Sequence, residues 1–502
     1  MYKILKADKD TYITDRVING ERAYDANVGL AGSLDLFKLY GATLSGSTPN
    51  TELSRLLIHF DLEPLRTLIA DGKLDPTHPS FFARLKLFDV YGGQPTPENY
   101  TVSVCPLSKS FSEGKGRDVV YYADRDATNF LTASYDAALI KWIDPGCGSS
   151  GDPSVSCDYY TGSLQKTQVF KTGEEDLDVD VTGIITDVLS ETIPDSGFRI
   201  SFSEQEETNQ KTYFVKRFAS KNAYNVTKHP RIVVGFDDSI RDTSQGMTLD
   251  SDTTIFFYNY DKGSPANLST PLGPVVGSDC LILKLQLPVS GGIQEFFFTG
   301  SQHNVGSNPA TGIYSASIYL SSSNQYITEA LQTSGSILKF KPIWGSLDES
   351  TTFLTGSNLS VVAPVRGTSY LPPKKFAVSV FGLNDVHRPD EVPVVRVNIF
   401  DYTSPLIKVV KTPVNSPGAL QGIASDAFYS VRESVTQETV VPFDLEKGST
   451  RISSDSEGLY FKLDMSNLYP ERTYVIDVML KVGGEYQKYL AASPVFKVSN
   501  TQ

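Results

Sequence analysis

Residues 177–203 read LDVDVTGIITDVLSETIPDSGFRISFS. Leu177, Val179 and Val181 alternate with Asp178 and Asp180, the period-two signature of a strand with one buried face. At Thr182 the period changes: Thr182 is expected to cap a helical turn that brings Ile184, Ile185, Val188 and Leu189 to one side. IPDSG then reads as a turn, and Phe198, Ile200 and Phe202 alternate again. Strand, helical turn and returning strand can share one core only if that turn reverses the chain. Val179, Val181, Ile184, Ile185, Leu189, Phe198, Ile200 and Phe202 are therefore expected in a core. The stretch reads as scaffold.

The flanking chain repeats the strand signal. TYITDRVI and SRLLIHFDL alternate, and in ARLKLFDVYGG the residues Ala83, Leu85, Leu87 and Val90 are expected to point inward before a Gly-Gly turn. Val102 and Val104 are in phase in TVSVCPL. ASYDAALIKWIDPGC reads as a short amphipathic or edge segment, and Arg231 to Phe236 as a last strand. Pro, Gly and Asn breaks recur between these runs, as the turns of an antiparallel sandwich require.

These pieces, in the order TYI, SRLLIHFDL, ARLKLF, DVDVTGIITDVL, SGFRISF and KRFASKNAYNVTKHPRIVV, resemble the DNRLRE-type domain over roughly residues 8 to 238. The resemblance implies a β-sandwich related in shape to carbohydrate-binding jelly rolls. The chain departs from that pattern at 147–160, which looks like an insertion, and in a lengthened LFKLYGATLSGSTPNTE. The resemblance thus bears on the fold more than on any ligand.

A length of 502 residues suggests three domains. We place them at 1–240 (DNRLRE-like), 241–365 (a second β-sandwich) and 366–502 (immunoglobulin- or fibronectin-like). TTIFFYNYDKG, DCLILKLQLPV, EFFFTG, GIYSASIYLS, SILKFKPIW and TTFLTGSNLSVVAP supply the second set of strands; in GIYSASIYLS either face could be the buried one. RGTSYLPPKK reads as a linker or edge. FAVSVFGL, VPVVRVNIFDY, GLYFKLDM, RTYVIDVMLKV and YLAASPVFKV supply the third set. In LYPERTY the spacing of Leu468, Pro470 and Tyr474 looks like the tyrosine corner of immunoglobulin-like sandwiches. The expected fold class is all-β, as tandem sandwiches, jelly-roll-like and then immunoglobulin-like.

Composition agrees. Aromatics make up 11% of the chain, with 26 Tyr and 27 Phe against 4 Met, a bias toward strands. A net charge of −13 argues against a general nucleic-acid partner, which needs clustered Lys and Arg. No apolar run is long enough to span a membrane. MYKILKADKDTYITD lacks the apolar segment of a secretory signal, so synthesis in a cytoplasm is expected. Cys105, Cys147, Cys157 and Cys280 are too few for a disulfide framework; free thiols are expected, with a local Cys147–Cys157 bridge as the alternative.

Chemistry is sparse. His59, His78, His229, His303 and His387 are scattered, and there is no GxSxG, HExxH or phosphate loop, so no catalytic residue and no cofactor is assigned. Asp176, Asp178 and Asp180 share one strand face, a candidate calcium site whose alternative is a solvated acidic face. A second acidic run holds Asp237, Asp238, Asp242, Asp250 and Asp252. Tyr121, Tyr122, Tyr159, Tyr160 and Tyr224 are candidate sugar-stacking rings, with core or interface duty as the alternative.

DNRLRE-like modules joined to immunoglobulin-like domains without a visible signal or anchor look like components of tailed-bacteriophage particles. The expected function is that of a non-enzymatic virion structural protein at the neck, tail or capsid surface. Its expected partners are other virion proteins and copies of itself, with no nucleic acid and no membrane. It would be made in the host cytoplasm and reside in the virion. The alternative is a glycan-binding adhesin or tail-fibre-type protein that recognises a host surface glycan; a polysaccharide-hydrolase accessory is a more remote reading.

Overall fold

The computed structural model describes every residue except 43–49, 91–92, 94–95, 121–123, 125, 137, 245–246, 272, 364–375, 402–425, 456, 483–484 and 501–502. The expected linker RGTSYLPPKK, Tyr121 and Tyr122 therefore lie outside the described residues. Strands dominate the chain and helices are short, so the fold is all-β with several sheets. The chain packs as two compact units, one of residues 3–68 and 81–235, the other of residues 1–2, 69–80 and 236–502.

The first unit is built on a ten-stranded sheet. Along it lie Lys166–Phe170, Tyr100–Pro106, Phe198–Phe202, Asn50–Phe60, Tyr2–Thr14, Arg231–Gly235, Phe82–Leu87 and Leu177–Asp180; Ser33–Ala42 pairs with both Asn50–Phe60 and Tyr213–Ala219. The two ends of the sheet are linked by one side chain. Gln168 Nε2 donates to the Asp176 carbonyl and Gln168 Oε1 accepts the Asp178 amide, each at 2.8 Å, so the sheet curls toward barrel-like closure.

The opening stretch is a strand, Leu177–Asp180, a helix, Thr182–Leu189, and a strand, Phe198–Phe202. Seven of its eight expected core residues are buried; Leu189 is half-buried, and Val188 fills the position expected of it. Thr182 is the first helical residue rather than the cap. The side-chain acceptor at this terminus is Asp180, whose Oδ1 takes the Thr182 amide at 2.8 Å, while Thr182 Oγ1 accepts from the Ala83 amide. The reversal through IPDSG ends at Gly197, where φ is +91° and a Cβ would sit 2.5 Å from the Ile58 carbonyl oxygen.

Alternation decides the inner face. Ile200 stands opposite Leu56 and Val104, Phe198 opposite Ile58, and Phe202 opposite Val102, all of them buried. The rings of Phe60 and Phe198 meet edge to face, and Phe202 packs on Tyr100 and Tyr213. Ala83, Leu85 and Leu87 are fully buried, whereas Val90 lies past the strand end and is half-exposed.

The outer face of the central strands is buried too, by the chain from 107 to 159. Ile13 and Leu57 pack there under Leu107, Phe111, Ala133, Trp142 and Cys147. Arg199, which alternation alone would place in solvent, is 3% exposed. Its Nε donates to the Cys147 carbonyl at 3.1 Å, and its guanidinium lies 4.1 Å from the Tyr159 ring centroid.

In the second unit a seven-stranded sheet runs Asp252–Tyr258, Asn308–Tyr319, Gly292–Val305, Leu281–Val289, Ile337–Gly345, Thr352–Thr355, with Leu359–Val362 also on Ile337–Gly345. Its core side holds Leu281, Leu283, Leu285, Leu287, Phe340 and Trp344. Tyr314, Ala316 and Ile318 are the buried set of GIYSASIYLS, and Tyr314 hydroxyl accepts the Leu268 amide and donates to the Val275 carbonyl, both at 2.8 Å. A helix absent from the sequence reading, Gln325–Ser334, begins at Asn324, whose side chain accepts the Tyr326 and Ile327 amides.

Two further sheets of this unit face each other. One orders Phe376–Phe381, Val394–Asp401, Gly458–Lys462 and Ser453–Asp455; the other orders Val386–His387, Phe496–Val498, Arg472–Val482, Ala427–Glu433 and Thr439–Val441. Tyr429 of the second stacks on Phe461 of the first with centroids 4.1 Å apart. Arg472–Val482 is buried on both faces, with Tyr474, Ile476, Val478 and Leu480 on one and Val475, Asp477 and Met479 on the other. The tyrosine corner is present: the Tyr474 hydroxyl accepts from the Tyr469 amide at 2.8 Å and donates to the Tyr469 carbonyl at 2.9 Å.

Residues 69–80 are stitched into this unit by polar contacts. Asp75 Oδ2 accepts the Ser307 amide at 2.8 Å, Lys447 Nζ donates to the Pro79 carbonyl at 3.0 Å, and Ser80 Oγ accepts the Asp237 amide at 3.2 Å.

Candidate functional site

The three strand aspartates are each engaged separately. Asp178 Oδ1 accepts from Arg84 Nε at 2.7 Å and its Oδ2 from Lys86 Nζ at 2.9 Å. Those cations stand opposite it because Asp178 pairs with Lys86 and Asp180 with Arg84 across the ladder. Asp176 accepts the Asp89 amide at 2.7 Å, and Asp180 takes the Thr182 amide. Among the described residues no group of three His, Cys, Asp or Glu side chains converges as a metal site. The second acidic run is dispersed likewise. Asp237 accepts from Arg451 at 2.9 Å, Asp238 pairs with the chain-terminal ammonium, Asp242 with the Ser244 amide, and Asp250 with Ser322.

Of the candidate stacking rings, Tyr160 is buried and Tyr159 lies half-buried against Arg199, so both serve the covering segment. Tyr224 is fully exposed. Cys105, Cys147, Cys157 and Cys280 are free thiols, and burial pushes Cys147 up to about 12.

One histidine sits in a network that sequence reading treated only as structural. His59 Nδ1 lies 2.6 Å from Asp8 Oδ1 and its Nε2 3.5 Å from Asp195 Oδ1, while Arg66 donates to Asp195 Oδ2 at 3.0 Å. Burial works against the imidazolium, but the hydrogen bonds to Asp195 and Asp8 outweigh it and raise the His59 pKa to about 9. With both ring nitrogens protonated at neutral pH, His59 offers no lone pair to a substrate or metal. Beside it a small pocket is lined by Phe60, Ile184, Val188, Phe198 and Ile232, with Asp195 at its margin. The arrangement is a clamp that ties the 191–197 turn to two strands. His78, His229, His303 and His387 lie apart, bonded to Ser80, bonded to the Ala223 carbonyl, packed on Phe256 and bonded to Glu391 respectively.

An exposed apolar feature of the first unit is a hairpin, Thr132–Asp136 with Ala138–Lys141. Its base is anchored by Ala133 and by Trp142, whose Nε1 donates to the Asn129 carbonyl at 3.0 Å. Leu131, Tyr135, Leu139, Ile140 and Ile143 are each 42–49% exposed, and the strand Ala138–Lys141 is exposed on both sides. An apolar strand with a free edge is a pairing surface. No protein-family model matches the chain, and no curated protein matches it.

Proposed function

We propose that the chain is a non-enzymatic structural protein of a tailed-bacteriophage particle that acts through contacts with other virion proteins and with copies of itself. The observation that carries this reading is the hairpin at 132–141. With the flanking Leu131 and Ile143 it exposes five large apolar side chains, while Arg55, Asp178 and Lys216 of the same unit are held in internal ion pairs. Exposed apolar surface on a well-paired framework is the anatomy of an assembly interface. The resemblance of residues 8–238 to the DNRLRE-type domain supports placing that assembly in a virion. Sedimentation of the full chain, wild type and Leu139→Lys/Ile140→Glu, tests the reading together with mass spectrometry of purified particles. Concentration-dependent association lost in the double variant, and presence in particles, are expected. A monomer at all concentrations that is absent from particles would overturn it. The fully exposed Tyr224 ring favours a second reading, glycan recognition, which requires binding on a glycan array that Tyr224→Ala abolishes.

A further inference from the structure

We infer that Asp89 and Lys216 condense into an intramolecular side-chain amide, which cross-links the segment after Phe82–Leu87 to the strand Tyr213–Ala219. The Lys216 side chain is 0% exposed. Its Nζ lies 2.5 Å from Asp89 Oδ1 and 2.8 Å from each of the Gly173 and Glu175 carbonyl oxygens. The Phe170 and Phe218 ring centroids are 5.2 and 4.9 Å from Nζ, and Tyr100 stacks on Phe170 at 5.1 Å. Aromatic walls and two carbonyls thus enclose Lys216 Nζ, while the Asp89 side chain stays 17% exposed.

Such an enclosure disfavours separated charges, because desolvation of a buried ion pair rivals its attraction. Transfer of one proton from the ammonium to the carboxylate leaves a neutral amine and a neutral acid, the reactive forms. Burial lowers the Lys216 pKa, opposed in part by Asp89. A neutral amine has two hydrogens and one lone pair. The Gly173 and Glu175 carbonyls accept the two hydrogens, which leaves the lone pair facing the Asp89 carboxyl group. The acceptor segment is itself fixed, since Glu175 Oε1 accepts the Lys171 and Thr172 amides at 2.9 Å. Gly173, at φ +82°, could not carry a Cβ, which would fall 2.1 Å from the Pro97 carbonyl oxygen.

The backbone holds the reactants in register. Asp89 bridges Phe218, the Val90 amide donates to the Arg217 carbonyl at 3.2 Å, and the Ala219 amide to the Phe88 carbonyl at 3.0 Å. Oriented groups of this kind react with effective molarities of roughly 10⁵–10⁸ M, enough to offset the preference of free acid and amine for hydrolysis in water. In the reaction Nζ forms a bond to Asp89 Cγ, one carboxyl oxygen departs as water, and one amine proton travels to that oxygen. No oxidant or second substrate is needed. Glu175 Oε2, buried without a hydrogen-bond partner among the described residues and close enough to act on the Lys216 charge, is a group that can relay the proton.

The test is the intact mass of the purified full chain under denaturing conditions, with peptide mapping. The expected mass is that of the sequence less one water, with a branched peptide joining residues 89 and 216, and Asp89→Ala and Lys216→Arg at their full sequence masses. A second buried lysine supplies the internal comparison: Lys38 Nζ donates to Asn209 Oδ1 at 3.0 Å, and condensation there would release ammonia. Wild-type protein at full sequence mass, a deficit of ammonia alone, or a link mapping elsewhere would each overturn the assignment.

Discussion

Replacing Tyr474 by Phe deletes one oxygen atom from the tyrosine corner and leaves the packing of the ring unchanged. The ring is fully buried beside Phe496, so no cavity larger than the lost hydroxyl forms. Two hydrogen bonds disappear, the one accepted from the Tyr469 amide and the one donated to the Tyr469 carbonyl. At a net contribution of about 0.5–1.5 kcal/mol each, their loss costs about 1–3 kcal/mol. The cost should appear where the corner acts, in the sheet containing Arg472–Val482 and Ala427–Glu433. Hydrogen exchange resolved by peptide reads this in the intact chain, because protection in cooperative segments reports their opening free energy. Tyr319→Phe, at a ring 54% exposed, serves as the comparison and should stay within about 0.5 kcal/mol. Unchanged protection across 427–433 and 472–482 in Tyr474→Phe would refute the reasoning.

The His59 clamp makes the first unit pH-sensitive on the alkaline side. Its folded pKa of about 9 exceeds the unfolded value of about 6.5, so its stabilisation is complete below about pH 6.5 and is lost as pH rises through 9; the ring-proton titration of His59 by NMR should show a midpoint near 9. Asp10 is opposite in kind: burial, helped by the Glu113 charge and opposed by the Lys221 amide, raises it to about 7, so it titrates within the folded unit and stability falls as pH rises from about 4 to 7. Asp10→Asn should therefore raise the melting temperature at pH 8 and do so less at pH 5. Phe198→Ala and Phe202→Ala should each cost about 3–5 kcal/mol in urea unfolding, since both rings are buried among other rings. Asp178→Asn, whose carboxylate is 39% exposed, should cost at most about 1 kcal/mol, with the same midpoint whether or not calcium is added.

Where one face of a strand meets the core and the other meets solvent, the sequence reading located the buried residues. Ala83, Leu85 and Leu87 are examples, and so is the change of period at Thr182. Strands buried on both faces were read unevenly, FRISF and RTYVIDVMLKV being recognised and another not. AFYSVRE, 427–433, is a central strand with all but one residue buried and no alternation to reveal it. Arg199 was invisible for the same reason, because the cover over its face comes from a loop some 50 residues earlier in the chain. The helix Gln325–Ser334 had readable signals, an Asn at its N-cap and Gly335 at its end, hidden in a Ser- and Thr-rich stretch. The acidic triplet was legible as a face but not as a site. What decides its chemistry is Arg84 and Lys86, delivered by a strand more than ninety residues away.

The excursion at 69–80 bears on how the protein is made. The segment leaves the ribosome long before the residues that receive it: 227 residues separate Ser80 from Ser307, whose amide Asp75 accepts. At a synthesis rate of about 5–20 residues per second, that gap lasts roughly 11–45 s. Only in its last part, once Arg231–Gly235 has been made, does the sheet of 3–68 and 81–235 have all its strands, and the Ser307 amide that Asp75 accepts is still to come. Protease nicking of nascent chains should therefore concentrate at 69–80 and decline in steps as its partners at residues 237, 307 and 447 are made. A chain truncated at 235 would keep that loop permanently open, a finished sheet carrying the unused half of another unit's seam.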